Sequence, residues 1–126
     1  MPYLAFNLND GNEFVFDILE ERLSIGRDAK NAPMVVLIHG GPFGIFDAWG
    51  FDDEAQMLAS HGYAVLQVNF RGSGNRGAAF EEAGRREWGG KMQDDITDAT
   101  RWAIEQGIAD PKRICLYGAS YGAYAA

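Results

Sequence analysis

Leu4, Phe6 and Leu8 alternate with polar or smaller residues, and Phe14, Phe16 and Ile18 resume the alternation after Asn9-Asp10-Gly11-Asn12. Period-two patterning on either side of turn chemistry predicts an antiparallel hairpin. The charged stretch from Glu20 to Pro33 closes with Asn31-Ala32-Pro33 and reads as a loop. The apolar run Met34 to Ile38 then predicts a strand buried on both faces, and Ala64 to Phe70 predicts the next. Between them Asp52 and Asp53 open a helix through Ser60, with Ala55, Leu58 and Ala59 on one face and Gly62 placed to end it. A short helical segment is expected around Ala78 to Ala83. A longer helix runs from about Lys91 to Gln106, where Met92, Ile96, Ala99, Trp102 and Ala103 fall at helical spacing before Gly107. A loop through Pro111 leads to a last strand, Arg113 to Tyr117, followed by helix-forming alanines. Hairpin, strand, helix, strand, helix, strand is the order of an α/β chain wound on both faces of a largely parallel sheet.

A chain of 126 residues that is 47% hydrophobic and 13% aromatic makes one globular domain or a piece of one. The net charge of −7 argues against nucleic acid as a partner, and Arg85-Arg86 and Lys112-Arg113 are isolated basic pairs expected to be solvated. No apolar stretch is long enough for a membrane span, and Met1 to Asp10 lacks the pattern of a signal peptide, so the expectation is a cytoplasmic protein without a membrane partner. The single cysteine, Cys115, rules out an intrachain disulfide or a multi-cysteine metal site. Lying mid-strand, it is expected to be a buried small hydrophobe, and no cofactor or metal is expected.

The chemistry concentrates where strands end, since ligands of open parallel sheets collect beyond the carboxyl ends. Tyr117-Gly118-Ala119-Ser120-Tyr121-Gly122 contains a G-x-S-x-G elbow with a strand before it and a helix after it. Small residues at Gly118 and Gly122 let the two backbones pass closely and push the Ser120 hydroxyl outward. After the first buried strand comes His39-Gly40-Gly41-Pro42, whose bare backbone at Gly40 and Gly41 suits close approach to a substrate carbonyl. An acyl-transfer site needs two N–H groups for a developing oxyanion, and Gly41 and Tyr121 are the candidates.

Taken together, HGGP at His39 to Pro42, NFRGSG at Asn69 to Gly74, WGGKMQDD at Trp88 to Asp95 and GASYG at Gly118 to Gly122 resemble the prolyl oligopeptidase family of serine peptidases. The resemblance covers Pro33 to Ala126 and is weak before that. It implies an incomplete α/β-hydrolase: residues 1–32 form the N-terminal hairpin and loop, and residues 33–126 form the front part of the catalytic domain, ending just after the nucleophile elbow. It further implies that Ser120 is the nucleophile, that the N–H groups of Gly41 and Tyr121 form the oxyanion hole, and that a peptide is the substrate. In the family the triad aspartate and histidine follow the elbow.

Both histidines of this chain precede Ser120. His39 belongs to the oxyanion loop, and His61 sits at a helix C-terminus, where a cation is favoured. Neither is placed as a general base, and the chain by itself is expected to be inactive. Asp94, Asp95 and Asp98 read as a helix start and solvated face, and Arg71 as solvated or paired with an acidic loop neighbour. Gly72-Ser73-Gly74-Asn75-Arg76-Gly77 matches a dinucleotide fingerprint but lacks the long helix and the distal acid that the fingerprint requires. The competing readings are a non-catalytic or interaction module and an esterase of the same fold. An open edge on the last strand is expected to drive self-association.

Overall fold

The computed structural model describes residues 31–126 in full, together with the backbone of three strands in the first 25 residues. In chain order these are β1 (Leu4–Leu8), β2 (Glu13–Phe16), β3 (Glu21–Ile25), β4 (Ala32–Ile38), α1 (Asp53–Ser60), β5 (Ala64–Val68), α2 (Ala78–Glu82), α3 (Lys91–Glu105), β6 (Ala109–Gly118) and α4 (Tyr121–Ala125). The six strands form one sheet in the order β2-β1-β3-β5-β4-β6. β5, β4 and β6 run parallel, as the apolar runs predicted. β1 and β2 pair antiparallel, with Leu4 opposite Phe16 and Phe6 opposite Phe14. The expected turn at Asn9 to Asn12 and the position Ile18 lie outside the described residues.

Two expected strand assignments are corrected. The segment Glu20 to Pro33 was expected to be a loop, yet Glu21–Ile25 is a strand that pairs parallel with β1 and antiparallel with β5. It joins the hairpin to the parallel strands. β6 begins at Ala109 rather than Arg113, and Pro111 lies within it. Pairing passes from Ala32–Ala109 to Met34–Ile114, so the extra residues of β6 bulge out between two registers. A proline there removes no ladder bond that the bulge had kept. Asp110 stabilises the bulge, accepting the Lys112 N–H at 2.9 Å and the Arg113 Nε at 2.8 Å.

Apolar side chains alternate across β4. Met34, Val36 and Ile38 face α3 and α4 along with Leu66, Met92, Ile96, Ala99 and Ala103, while Leu37 meets Val65, Ala55 and Ala59 under α1. Helices therefore cover both faces, and full burial of a side chain such as Leu66 or Ile96 contributes about 2 kcal/mol. α1 starts where the Asp52 carboxylate accepts the Ala55 N–H at 2.8 Å, a cap that contributes about 1 kcal/mol, and it stops before Gly62 at φ 90°. α3 ends before Gly107 at φ 73°. This packing sets the carboxyl ends of β4, β5 and β6 side by side, which places the three candidate motifs at one end of the sheet. No helix among the described residues is long and apolar enough to cross a membrane.

Cys115 is exposed, contrary to the expectation of a buried hydrophobe. β6 is the outermost strand, paired only with β4 among the described residues, and most of its residues are exposed.

Candidate active site

Ser120 is the single residue between β6 with its Ala119 extension and α4, and its backbone sits at φ 58°, ψ −123°. A residue with a Cβ is held in that region at a cost of roughly 1–3 kcal/mol, which the surrounding packing must offset. Three bonds tie the turn: Gly122 N–H to the Ala119 carbonyl at 2.9 Å, and Ala123 and Tyr124 N–H to the Ser120 carbonyl at 3.1 and 3.2 Å. The flanking glycines are required by the convergence of three backbones. A Cβ on Gly118 would lie 2.6 Å from the Ile38 carbonyl oxygen, and one on Gly122 would run into that same oxygen. The Ser120 side chain stands clear at the surface.

The His39-Gly40-Gly41-Pro42 loop leaves β4 directly beside this elbow. A Cβ on Gly40 would be 3.1 Å from the Ala119 carbonyl oxygen and 3.3 Å from the Ser120 Cβ, so the bare backbone is what lets the loop reach the serine. Gly41 adopts φ 116°, which only glycine takes without strain. The loop is laced to the chain after β5 by Gly44 N–H to the Gly72 carbonyl at 3.3 Å and Gly74 N–H to the Ile45 carbonyl at 3.0 Å. Asp47 N–H donates to Asn69 Oδ1 at 2.8 Å, and Asn69 Nδ2 donates back to the Asp47 carbonyl at 3.0 Å. Neither proposed donor, the Gly41 or the Tyr121 N–H, is used by another backbone group among the described residues. Tyr121 opens α4, where the N–H has no intrahelical acceptor.

His39 does not face Ser120 as a base. Its Nδ1 lies 2.7 Å from the Gly40 carbonyl, which can only accept, so Nδ1 carries the proton and Nε2 accepts from the Ser73 hydroxyl at 2.8 Å. The ring stacks on buried Phe70 at 4.5 Å, and burial pushes the imidazole pKa below its ordinary value against the opposing pull of the Gly40 carbonyl. A peptide unit is planar, so holding the Gly40 carbonyl also fixes the direction of the Gly41 N–H. The role open to a neutral His39 is to orient that donor. His61 caps α1, with Nδ1 2.8 Å from the Met57 carbonyl and no bond to Ser120.

Ser73 is wholly buried, and it is the site residue that sequence reasoning missed. Its signal was present only as the serine inside Asn69 to Gly74. The glycines beside it, matched to a nucleotide fingerprint, serve packing instead. Gly84 abuts Gly72, with a Cβ on Gly84 falling 2.7 Å from the Gly72 Cα, and a Cβ on Gly74 would strike the Gly44 carbonyl. Arg71 is half-buried and paired, with a helix acid rather than a loop neighbour. It grips Asp95 of α3 through Nε and Nη2, both at 2.8 Å, while its own N–H donates to the same carboxylate at 2.9 Å. Asp95 is thereby removed from the solvated face expected for it, while Asp94 and Asp98 are exposed as anticipated. Trp88 packs edge-on to Tyr121 with centroids 4.8 Å apart, linking the loop before α3 to the residue after Ser120.

Comparison with known proteins places this arrangement. The model of the prolyl oligopeptidase family matches residues 49–126. The chain is similar to dipeptidyl aminopeptidase BIII of Pseudoxanthomonas mexicana, 47% identical over 100 residues, which are 79% of this chain and 14% of that protein. It is similar to the acylamino-acid-releasing enzyme of Arabidopsis thaliana, 34% identical over 97 residues, 77% of this chain and 13% of the relative. Among solved structures, an acylaminoacyl peptidase of Pyrococcus horikoshii superposes with a TM-score of 0.75 at 29% identity, covering 96% of this chain and 19% of that one. A puromycin-hydrolysing peptidase of Mycobacterium tuberculosis does so with a TM-score of 0.76 at 28% identity, over 98% and 19% of the two chains. The 126 residues thus span about one seventh of the curated relatives they match, and their sheet and helices are part of an α/β-hydrolase fold. With motif order, fold and similarity in agreement, the chain belongs to the prolyl oligopeptidase family of peptidases.

Proposed function

We propose that this chain supplies the nucleophile and oxyanion donors of a serine peptidase that cleaves peptide bonds through an acyl-enzyme, and that the general base comes from outside these residues. The observation that carries the reading is the elbow itself: Ser120 held at φ 58°, ψ −123°, with the bare backbone of Gly40 packed against it. In this reading Ser120 Oγ attacks the scissile carbonyl, the Gly41 and Tyr121 N–H groups take up the developing negative charge, and the amine leaves before water releases the acyl group. Each oxyanion donor is worth about 10²–10³-fold in rate. Both imidazoles are committed elsewhere, which supports an external base and a chain that is inactive by itself.

The test is turnover of an aminoacyl chromogenic amide and labelling by a fluorophosphonate. The chain as it stands should turn over negligibly, because triad members act as a unit. A longer protein, built by joining these residues to a segment that supplies a base, should label at Ser120 alone and lose labelling in Ser120→Ala. Turnover by the 126 residues that survives repurification yet vanishes in Ser120→Ala would overturn the external base. Labelling at another residue of the longer protein would remove Ser120 from its role.

A further inference from the structure

Beside the elbow lies an open cleft of about 590 Å³ lined by Phe43, Glu82, Arg85, Arg86 and Trp88, a volume in the range of small-molecule and peptide side-chain sites. Two of its walls are anchored to the candidate oxyanion residues. Phe43 is two residues past Gly41, and Trp88 packs on Tyr121 and, at 5.4 Å, on Tyr124. Both rings remain partly exposed, with 40% and 49% of their surface open. Large aromatic surface left in water next to a reactive serine is a place for an apolar ligand group.

The charges of the cleft are unequal. Glu82 Oε2 accepts from Arg85 Nε at 2.5 Å, so these two neutralise each other. Arg86 forms no hydrogen bond or ion pair among the described residues, and its backbone is at φ 60°, where a side chain is strained. Among the described residues no hydrogen bond or ion pair of its side chain offsets that strain. A protein of net charge −7 repels anionic peptides, so a guanidinium with no ion-pair partner among the described residues, in a cleft that two aromatic rings also line, gives that cleft a local preference for an anion.

We propose that this cleft is a subsite for a carboxylate of the peptide substrate carried beside an apolar side chain, with Arg86 as the anion's partner and Phe43 and Trp88 as its apolar walls. The proposal rests on the peptidase reading of Ser120. The carboxylate is either the peptide's own C-terminus or an acidic side chain, and the two share this chemistry.

Calorimetric titration of the 126-residue protein with two matched pairs tests it. Acetyl-Gly-Phe is compared with its C-terminal amide, and acetyl-Glu-Phe-amide with acetyl-Gln-Phe-amide. The charged member of at least one pair should bind roughly fivefold tighter, the upper range for an exposed ion pair, and the advantage should shrink with added salt. An advantage in the first pair alone names the C-terminus as occupant, and in the second pair alone an acidic side chain. The advantage should disappear in Arg86→Gln and survive in part in Arg86→Lys. Arg86→Gly relieves the backbone strain, so it should melt higher than the parent while losing the discrimination, which separates lost binding from lost folding. Equal affinity within both pairs, or an advantage that persists in Arg86→Gln, overturns the proposal. Failure of Ser120 labelling in the longer protein would undo the peptidase reading and leave these binding differences readable.

Discussion

His39 Nε2 lies 2.8 Å from Ser73 Oγ, a bond between the end of β4 and the loop after β5 that spans 34 residues of sequence. Through it the chain after β5 determines how the loop His39 to Pro42 presents its peptide beside Ser120. Ser73→Ala leaves a buried imidazole nitrogen without its donor, and His39→Ala removes the hold on the Gly40 carbonyl. In the longer, base-containing protein, His39→Ala should lower kcat/KM by about 10²-fold or more, comparable to loss of an oxyanion donor, and Ser73→Ala by about tenfold. If kcat/KM is unchanged in both variants, the loop is oriented by something else.

The same pair implies a pH dependence. Burial holds the folded-state pKa of His39 below the value of about 6.5 that it takes in an unfolded chain. As pH falls below that value the unfolded state binds the proton more readily. His39 therefore contributes stability that is present above about pH 6.5 and is lost as pH falls through its folded pKa. Melting temperatures measured from pH 7.5 down to pH 5 should fall more steeply for the parent than for His39→Gln, which has nothing to titrate there. Parallel curves would contradict the assignment.

At the elbow, activity and stability should part. Ser120→Gly removes the Cβ from a strained conformation and should raise stability by about 1 kcal/mol while abolishing labelling, whereas Ser120→Ala keeps the strain. Gly122→Ala drives a methyl into the Ile38 carbonyl and should cost about 3 kcal/mol or prevent folding. Urea denaturation of the three variants ranks them, and a well-folded Gly122→Ala protein would mean the three backbones have more room than their packing implies.

Arg71 and Asp95 anchor the loop that carries Ser73 to α3. Their contact is bidentate, reinforced by a backbone donor, and partly shielded, with side-chain exposures of 31% and 22%. Asp95→Ala should destabilise the protein by about 2 kcal/mol, and Asp94→Ala, at a neighbouring exposed site, by less than about 0.5 kcal/mol. Equal effects in thermal unfolding would reduce the pair to an ordinary surface contact.

β6 leaves one edge without a strand partner among the described residues, and Leu116 and Tyr117 on it are 39% and 49% exposed. From Ile114 to Gly118 this edge carries no charge, and a partly apolar edge of that kind pairs with other edges. The chain is expected to self-associate as concentration rises, with the tendency reduced in Leu116→Lys, and Cys115 should be alkylated by iodoacetamide without unfolding. Size-exclusion chromatography with light scattering gives the answer: a monomer independent of concentration would speak against the edge.

Local chemistry determined much of this by sequence alone. The two longer helices carried their own stop or cap in Asp52, Gly62 and Gly107, the buried strand β4 held an uninterrupted apolar run and β5 one broken only by Gln67, and the elbow is a motif whose geometry follows from adjacent residues. Tertiary structure decided what depends on distant partners. Glu21–Ile25 is a strand because β1 and β5 supply hydrogen bonds on either side, which no pattern within a charged segment announces. Cys115 is exposed because its strand lies at the margin of the sheet, and burial is a property of neighbours rather than of the residue. Asp94 and Asp95 are equivalent in sequence, but the turn of α3 aims only the second at an arginine 24 residues away. Ser73 was one hydroxyl in a glycine-rich run until folding brought His39 within 2.8 Å, because a hydrogen bond requires a direction and a distance that only the assembled sheet supplies.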